Sequence, residues 1–213
     1  LMYHSVGGPI LSRYNLSVDA FTSQMEFLSN HYRFVRLKDI PRQLKNYNTK
    51  NPKLPVVITF DDGYRDLYEH VHPIMEALRI PYTVFIPTAY IQSSGSYDNE
   101  NLPMLSVREI LELSGSDLVD IGSHTVTHCS LTQLSSSELK EELHQSKEYL
   151  ESLLSRPVDM FAYPYGTFTH YSKQIVRAVA ECGYSLAVTA CFSSMNRSGN
   201  NYLLRRLFFE EKE

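Results

Sequence analysis

The chain reads as an α/β protein: a parallel sheet wrapped by helices and curled into a distorted, incompletely closed (β/α) barrel. Three observations predict this. Short β-branched or aromatic runs recur along the 213 residues. Stretches with helical apolar spacing stand between them, and the alternation repeats about seven times. Runs such as Val56-Val57-Ile58-Thr59-Phe60 are almost continuously apolar, which fits strands covered on both faces, as in parallel sheets. No internal repeat and no linker interrupts the pattern, so residues 1–213 are expected to form one domain.

In order along the chain, residues 1–4 form a strand end that delivers His4 to a loop, since Ser5-Val6-Gly7-Gly8-Pro9 is turn-forming. Ser17 caps a helix whose Phe21, Met25 and Leu28 make an apolar stripe. Residues 34–37 read as a short strand, followed by a helix from about Asp39 with Pro41 in its first turn. Residues 46–53 are a polar loop, and residues 54–60 are a buried strand ending at Asp61. A helix is expected over 66–78, kinked or restarted at Pro73, with His70 and His72 on the surface. Residues 81–86 are the next buried strand. The Ser-, Gly- and Asn-rich stretch 92–102 is long enough to be a substrate-facing insertion.

Capping-box spacings at Ser106/Glu109 and Ser135/Glu138 open two more helices. The second carries Leu139, Leu143, Leu150 and Leu153 on one side and a solvated His144. Between these helices, residues 119–122 are a strand running into His124. Residues 158–162 form a strand that ends in the sharp turn Tyr163-Pro164-Tyr165-Gly166. A helix over 171–182 closes at Gly183, and residues 185–189 and 202–207 complete the strands.

Composition narrows the partners. A net charge of -4 with both signs interspersed leaves no basic stripe for nucleic acid and no polybasic run for an anionic membrane. The partner is expected to be neutral or cationic. No apolar run approaches the roughly 20 residues that span a bilayer. Cys129, Cys182 and Cys191 are an odd set without metal-knuckle spacing, so no disulfide framework is implied, and Cys129 beside His128 reads as a neutral thiol. Fifteen tyrosines with no tryptophan suit stacking on sugar faces, although most are expected in the core.

Chemistry concentrates at two strand ends. Asp61 and Asp62 close an apolar strand at the end where parallel α/β folds gather catalytic groups. His124 and His128, four apart, follow the strand over 119–122 and converge on one ion if the backbone between them turns tightly. One carboxylate and two imidazoles are a common divalent-metal ligand set that leaves positions for water and substrate. The other carboxylate is then free to act as a base. The bland alternative is a solvated turn and two satisfied core histidines.

Thr59-Phe60-Asp61-Asp62-Gly63, then Ser123-His124-Thr125-Val126-Thr127-His128, then Phe161-Ala162-Tyr163-Pro164-Tyr165-Gly166 resemble the motifs of the polysaccharide deacetylases of the NodB-homology group, carbohydrate esterase family 4. The resemblance implies the barrel described above and a metal-dependent removal of N-acetyl groups from an acetylated amino-sugar polymer. It implies that Asp62, His124 and His128 hold a divalent ion, zinc by default and cobalt, nickel or iron also acceptable, while Asp61 acts as base and the Tyr165 amide holds the oxyanion. In the branch resembling poly-N-acetylglucosamine deacetylases, the general-acid histidine stands near the amino terminus as Tyr-His, which His4 matches.

Two departures stand out. The arginine that most members carry before Pro-Tyr is Ala162 here, so the cation beside the base is assigned to Arg206, with Arg205 the alternative. The family's Asp-Trp motif is also missing, which leaves one wall of the sugar pocket unassigned. The resemblance favours an extracellular or cell-envelope location. A non-catalytic glycan-binding module, or a related O-acetyl esterase or small-amide hydrolase, are the competing expectations.

Overall fold

In the computed structural model, which describes residues 1–8, 14–45, 53–91, 102–193, 196 and 199–208, ten short strands and six α-helices follow one another. They are β1 (Met2–Tyr3), β2 (Ser5–Val6), β3 (Asn15–Leu16), α1 (Val18–His31), β4 (Arg33–Phe34), α2 (Ile40–Lys45), β5 (Pro55–Val56) and β6 (Ile58–Phe60). Next come α3 (His72–Leu78), β7 (Tyr82–Ile86), α4 (Val107–Gly115), β8 (Val119–Ser123), α5 (Ser136–Leu154), β9 (Met160–Ala162), α6 (Lys173–Glu181) and β10 (Leu186–Val188). Six strands pair in the order β1-β6-β7-β8-β9-β10, every neighbour parallel. All of them therefore end at the same rim. Two small parallel pairs, β2 with β3 and β4 with β5, flank this sheet.

The sheet's two edges are bridged by the stretch over 204–208. Leu204 bridges Val188 on one edge and Phe208 bridges Met2 on the other. The amides of Thr189 and Met2 donate to the carbonyls of Leu204 and Leu207 across the two gaps (2.7 Å each). A continuous strand expected over 202–207 is thus replaced by single-residue bridges. The physical reason is that this stretch spans from one edge to the other and cannot run alongside either.

Side chains sort by the pleat. Tyr82, Val84 and Ile86 pack with Phe60, Phe21, Met25 and Ile110 beneath the helices, whereas Phe85 joins Met160, Ala162, Leu186 and Val188 on the opposite face. Phe161, between Met160 and Ala162, points instead to α5 and α6 with Leu139, Leu143 and Val179. Gly122 makes this layering possible, since a Cβ there would stand 2.5 Å from the Phe85 ring.

The helices begin where the sequence predicts. Ser17 Oγ accepts the Ala20 amide (3.2 Å), and reciprocal capping boxes at Ser106/Glu109 and Ser135/Glu138 start α4 and α5. Several elements differ from expectation. The run 54–60 breaks at Val57, so that Pro55–Val56 pairs with Arg33–Phe34 and only Ile58–Phe60 enters the main sheet. Proline, lacking an N–H, suits that short outer pair. Residues 34–37 do not form one strand, because Leu37 turns inward and starts a 3₁₀ turn over Leu37–Asp39. Ser5 and Val6 are strand rather than loop.

The helix expected over 66–78 begins as a π-helical turn, Leu67–Val71, and becomes α-helical at His72. His70 and His72 are half-buried rather than surface residues, His72 Nδ1 lying 2.9 Å from the Tyr82 hydroxyl. The polar loop over 46–53, apart from Lys53, and the insertion over 92–102, apart from Leu102, lie outside the described residues.

Candidate active site

Asp61 and Asp62 leave β6 through a tight turn in which Asp62 and Gly63 both take positive φ (73° and 71°) and the Gly63 amide donates to the Asp61 carbonyl (3.0 Å). Left-handed backbone is uncommon outside glycine, and short polar side chains tolerate it best. The turn sends the two carboxylates apart. Both are buried, 3% exposed.

Asp61 meets Arg206. Nη1 donates to Oδ1 (2.7 Å) and Nη2 to Oδ2 (2.6 Å), a two-pronged pairing that fixes the carboxylate plane. The same guanidinium donates to Thr59 Oγ1 (2.9 Å) and, through Nε, to the Thr189 carbonyl (3.0 Å), and it lies 5.8 Å from the centroid of Phe85. Burial alone would raise the Asp61 carboxyl, but Arg206 reverses this and holds it below the usual carboxylate range. The neighbouring Arg205 instead sets its guanidinium over Phe168, 5.6 Å from the ring centroid. Of the two arginines, it is Arg206 that contacts Asp61.

Asp62 meets the histidines. Its Oδ1 lies 3.5 Å from Nε2 of both His124 and His128, and it has no hydrogen-bond partner although buried. Two ligand atoms about 2.1 Å from one ion at the tetrahedral angle stand about 3.4 Å apart. The spacing therefore suits a shared cation better than direct hydrogen bonds, and the three donor atoms form a buried cluster that fits a metal ion. His124 Nδ1 is 2.8 Å from the Ala162 carbonyl, which turns Nε2 toward the cluster. Burial would raise the Asp62 carboxyl, but His124 foremost, then His4 and His128, holds it well below the ordinary range. Burial pushes His128 down to about 3, with the adjacent His124 adding to the effect. A neutral His128 is the ligand form.

The loop between the two histidines is shaped from outside. Thr125 and His128 take positive φ (70° and 54°), and Thr125 Oγ1 accepts the His128 amide (3.0 Å). Glu142, on α5, accepts from the amides of Val126 (2.8 Å) and Thr127 (3.0 Å) and from the Thr127 hydroxyl (2.7 Å). Thr88 and Ala89, just after β7, donate their amides to the Thr125 and Val126 carbonyls.

The remaining predicted residues border the same rim. His4 Nε2 is 4.0 Å from Asp62 Oδ2, and its ring packs on Tyr14 with centroids 4.7 Å apart. Tyr165 has φ 58° and its half-exposed ring leans on His128, centroids 5.0 Å apart. Gly166 follows with φ 54°, and a Cβ there would lie 2.5 Å from the Ala190 nitrogen, so the turn needs glycine. Cys129 is half-buried with its thiol raised by burial, in keeping with a neutral side chain. Sequence reasoning did not single out Glu142 or Asp66. Both bond backbone amides, which leave no side-chain signature at their partners; only the closeness of Asp66 to Asp61-Asp62 was visible.

This geometry has parallels in known proteins. Residues 48–187 match the family model described as polysaccharide deacetylase. The chain is 28% identical over 211 residues to the poly-beta-1,6-N-acetyl-D-glucosamine N-deacetylase of Staphylococcus aureus (strain MRSA252), covering 94% of this chain and 70% of that protein. The solved structure of IcaB from Ammonifex degensii superposes with a TM-score of 0.82 at 25% identity, over 97% of this chain and 89% of that one. The Streptococcus pyogenes deacetylase PplD, solved in complex with acetate, gives 0.82 at 24% identity over 99% and 91% of the two chains, a likeness of fold. The family match covers Asp61, Asp62, both histidines and Tyr165, while His4 and Arg206 lie outside it. With a family model matched over well more than half its length, this chain belongs to the polysaccharide deacetylase family.

Proposed function

We propose that this chain is a metal-dependent N-deacetylase acting on N-acetylglucosamine-containing polysaccharide, with zinc as the ion and cobalt, nickel or iron(II) as acceptable substitutes. The observation that carries the reading is the division of labour between adjacent carboxylates: Asp62 faces two imidazoles at 3.5 Å while Asp61 is held apart by Arg206. The relatives named as N-deacetylases of poly-beta-1,6-N-acetyl-D-glucosamine favour an amino-sugar polymer as substrate.

Asp62, His124 and His128 would hold the ion, which when bound supplies Lewis-acid chemistry, acidifying water and polarising an amide carbonyl. Asp61 stays ionised beside Arg206 and takes the proton of the attacking water. The Tyr165 amide donates to the oxygen on which negative charge develops. His4, in its protonated form, hands a proton to the amine as the carbon–nitrogen bond breaks. One water is consumed, and acetate and a free amino sugar are formed. Against a non-catalytic module stands the buried Asp61–Arg206 pair, in which the guanidinium makes four hydrogen bonds that glycan binding alone would not require.

The test is acetate release from acetylated glucosamine oligosaccharides by protein of measured metal content, set beside Asp61→Asn. The variant is expected to keep its ion and lose about 10²–10⁴-fold in turnover. Undiminished acetate release by the variant, or none by the metal-replete wild type on any such oligosaccharide, contradicts the reading.

A further inference from the structure

The His4 ring leans on Tyr14, but among the described residues no side-chain hydrogen bond aims it: Nδ1 is buried without a hydrogen-bond partner, and Nε2 stands 4.0 Å from Asp62. An acid that must meet a leaving nitrogen within a few tenths of an ångström needs its orientation fixed. Here the fixing comes from the main chain that follows it. Ser5 Oγ and the Val6 amide both donate to Asp66 Oδ2, the latter at 3.1 Å. Ser5 is fully buried. Asp66 itself sits at the start of the π-helical turn Leu67–Val71, four residues beyond Asp62. Inserted turns of this kind are frequent at functional sites. One carboxylate thus ties the segment carrying His4 to the turn that follows Asp61 and Asp62.

We propose that Asp66 is a positioning residue for deacetylation, holding His4 over the reacting bond through Ser5 and Val6. This rests on the assignment of His4 as general acid. Asp66 touches neither the metal cluster nor Asp61 by any bond described above, so its removal displaces the acid while leaving the ion and the base in place. Its effect therefore falls on the step that needs an acid, departure of an amine, and spares departure of an activated phenolate, which needs none.

The experiment compares wild type, Asp66→Ala, Asp66→Asn, His4→Ala and the double variant Asp66→Ala/His4→Ala. Each is assayed on an N-acetylglucosamine oligosaccharide and on an activated aryl acetate, with metal content measured for each. Asp66→Ala is expected to lower kcat on the oligosaccharide about tenfold or more, within the range of general-acid effects. Its KM, its aryl acetate turnover and its metal content should stay within about twofold of wild type, a change of under half a kcal/mol. Asparagine keeps an oxygen for Ser5 and Val6 and is expected to restore most of the lost rate. The double variant should be no slower than His4→Ala.

Equal losses on both substrates, loss of metal, or additive losses in the double variant would show a general structural role and overturn the proposal. An undiminished Asp66→Ala beside a damaged His4→Ala overturns the proposal alone. An undiminished His4→Ala overturns the general-acid assignment and the proposal with it.

Discussion

At the scale of single residues, the decisive feature is how two neighbouring aspartates are given different surroundings. The positive φ of Asp62 separates them, and each then meets cationic or imidazole partners that hold it ionised. Arg206 is buried and makes four hydrogen bonds in this arrangement. Arg206→Met would leave Asp61 buried without its counter-charge and should reduce unfolding free energy by about 3–5 kcal/mol in urea titrations. Arg206→Lys restores charge but not the two-pronged geometry and should fall between the two. Asp66 gives a pH effect of known sign. Burial pushes its carboxyl up to about 7, with the hydrogen bonds from Ser5 and Val6 opposing and Glu69 adding to the rise. The folded protein then keeps a proton that the unfolded chain gives up above about pH 4. The stability due to this group is whole below that point and is lost as pH rises through about 7. Urea midpoints of wild type should therefore drop relative to Asp66→Asn between pH 5 and pH 8. In the sequence, the aspartates and histidines stood in short local motifs and could be found as groups. Arg205 and Arg206 differ only in which way they face, and that is decided by how the chain crosses from one sheet edge to the other.

At the scale of elements, strands and helices with strong local signals were readable: the Ser-led caps of α1, α4 and α5, and the apolar runs of β7 and β8. What could not be read depends on contacts across the chain. Val57 separates two strands because Pro55–Val56 finds a partner in Arg33–Phe34, a pairing that no local pattern encodes. The bridges at Leu204 and Phe208 exist only because the sheet's two edges come near one another. The histidine loop is likewise governed from a distance. Glu142 on α5 gathers two amides and a hydroxyl of Val126 and Thr127. Glu142→Ala should leave far-UV circular dichroism unchanged, since α5 keeps its cap and apolar face. Affinity for zinc should weaken by about 10–100-fold in competition with a chromogenic chelator, as is usual when the support of a metal ligand is lost.

At the scale of the whole molecule, six parallel strands deliver their ends to one rim, so residues far apart in the chain meet there. A cation held by Asp62, His124 and His128, as proposed, would link the ends of β6 and β8, and binding it should stabilise the entire fold. An ion present at a hundred times its dissociation constant adds about 2.7 kcal/mol, or roughly 5–10 °C in Tm for a chain of this size. Thermal melts before and after chelation, and after readdition of zinc, measure this directly. A chelator without effect on Tm would argue against a bound ion.

The bridged seam at 204–208 has one more consequence. The segment that bridges the sheet's two edges is the one that presents Arg206 to Asp61, and it is fastened by isolated bridges rather than a full ladder. Segments with few backbone bonds open at lower free energy than the strands beside them. Gentle warming should loosen this latch first, uncoupling Asp61 from its guanidinium while the barrel wall still stands. Catalysis would then switch off reversibly below the melting temperature, and amide hydrogen exchange at Met2 and Thr189 would quicken in step with it.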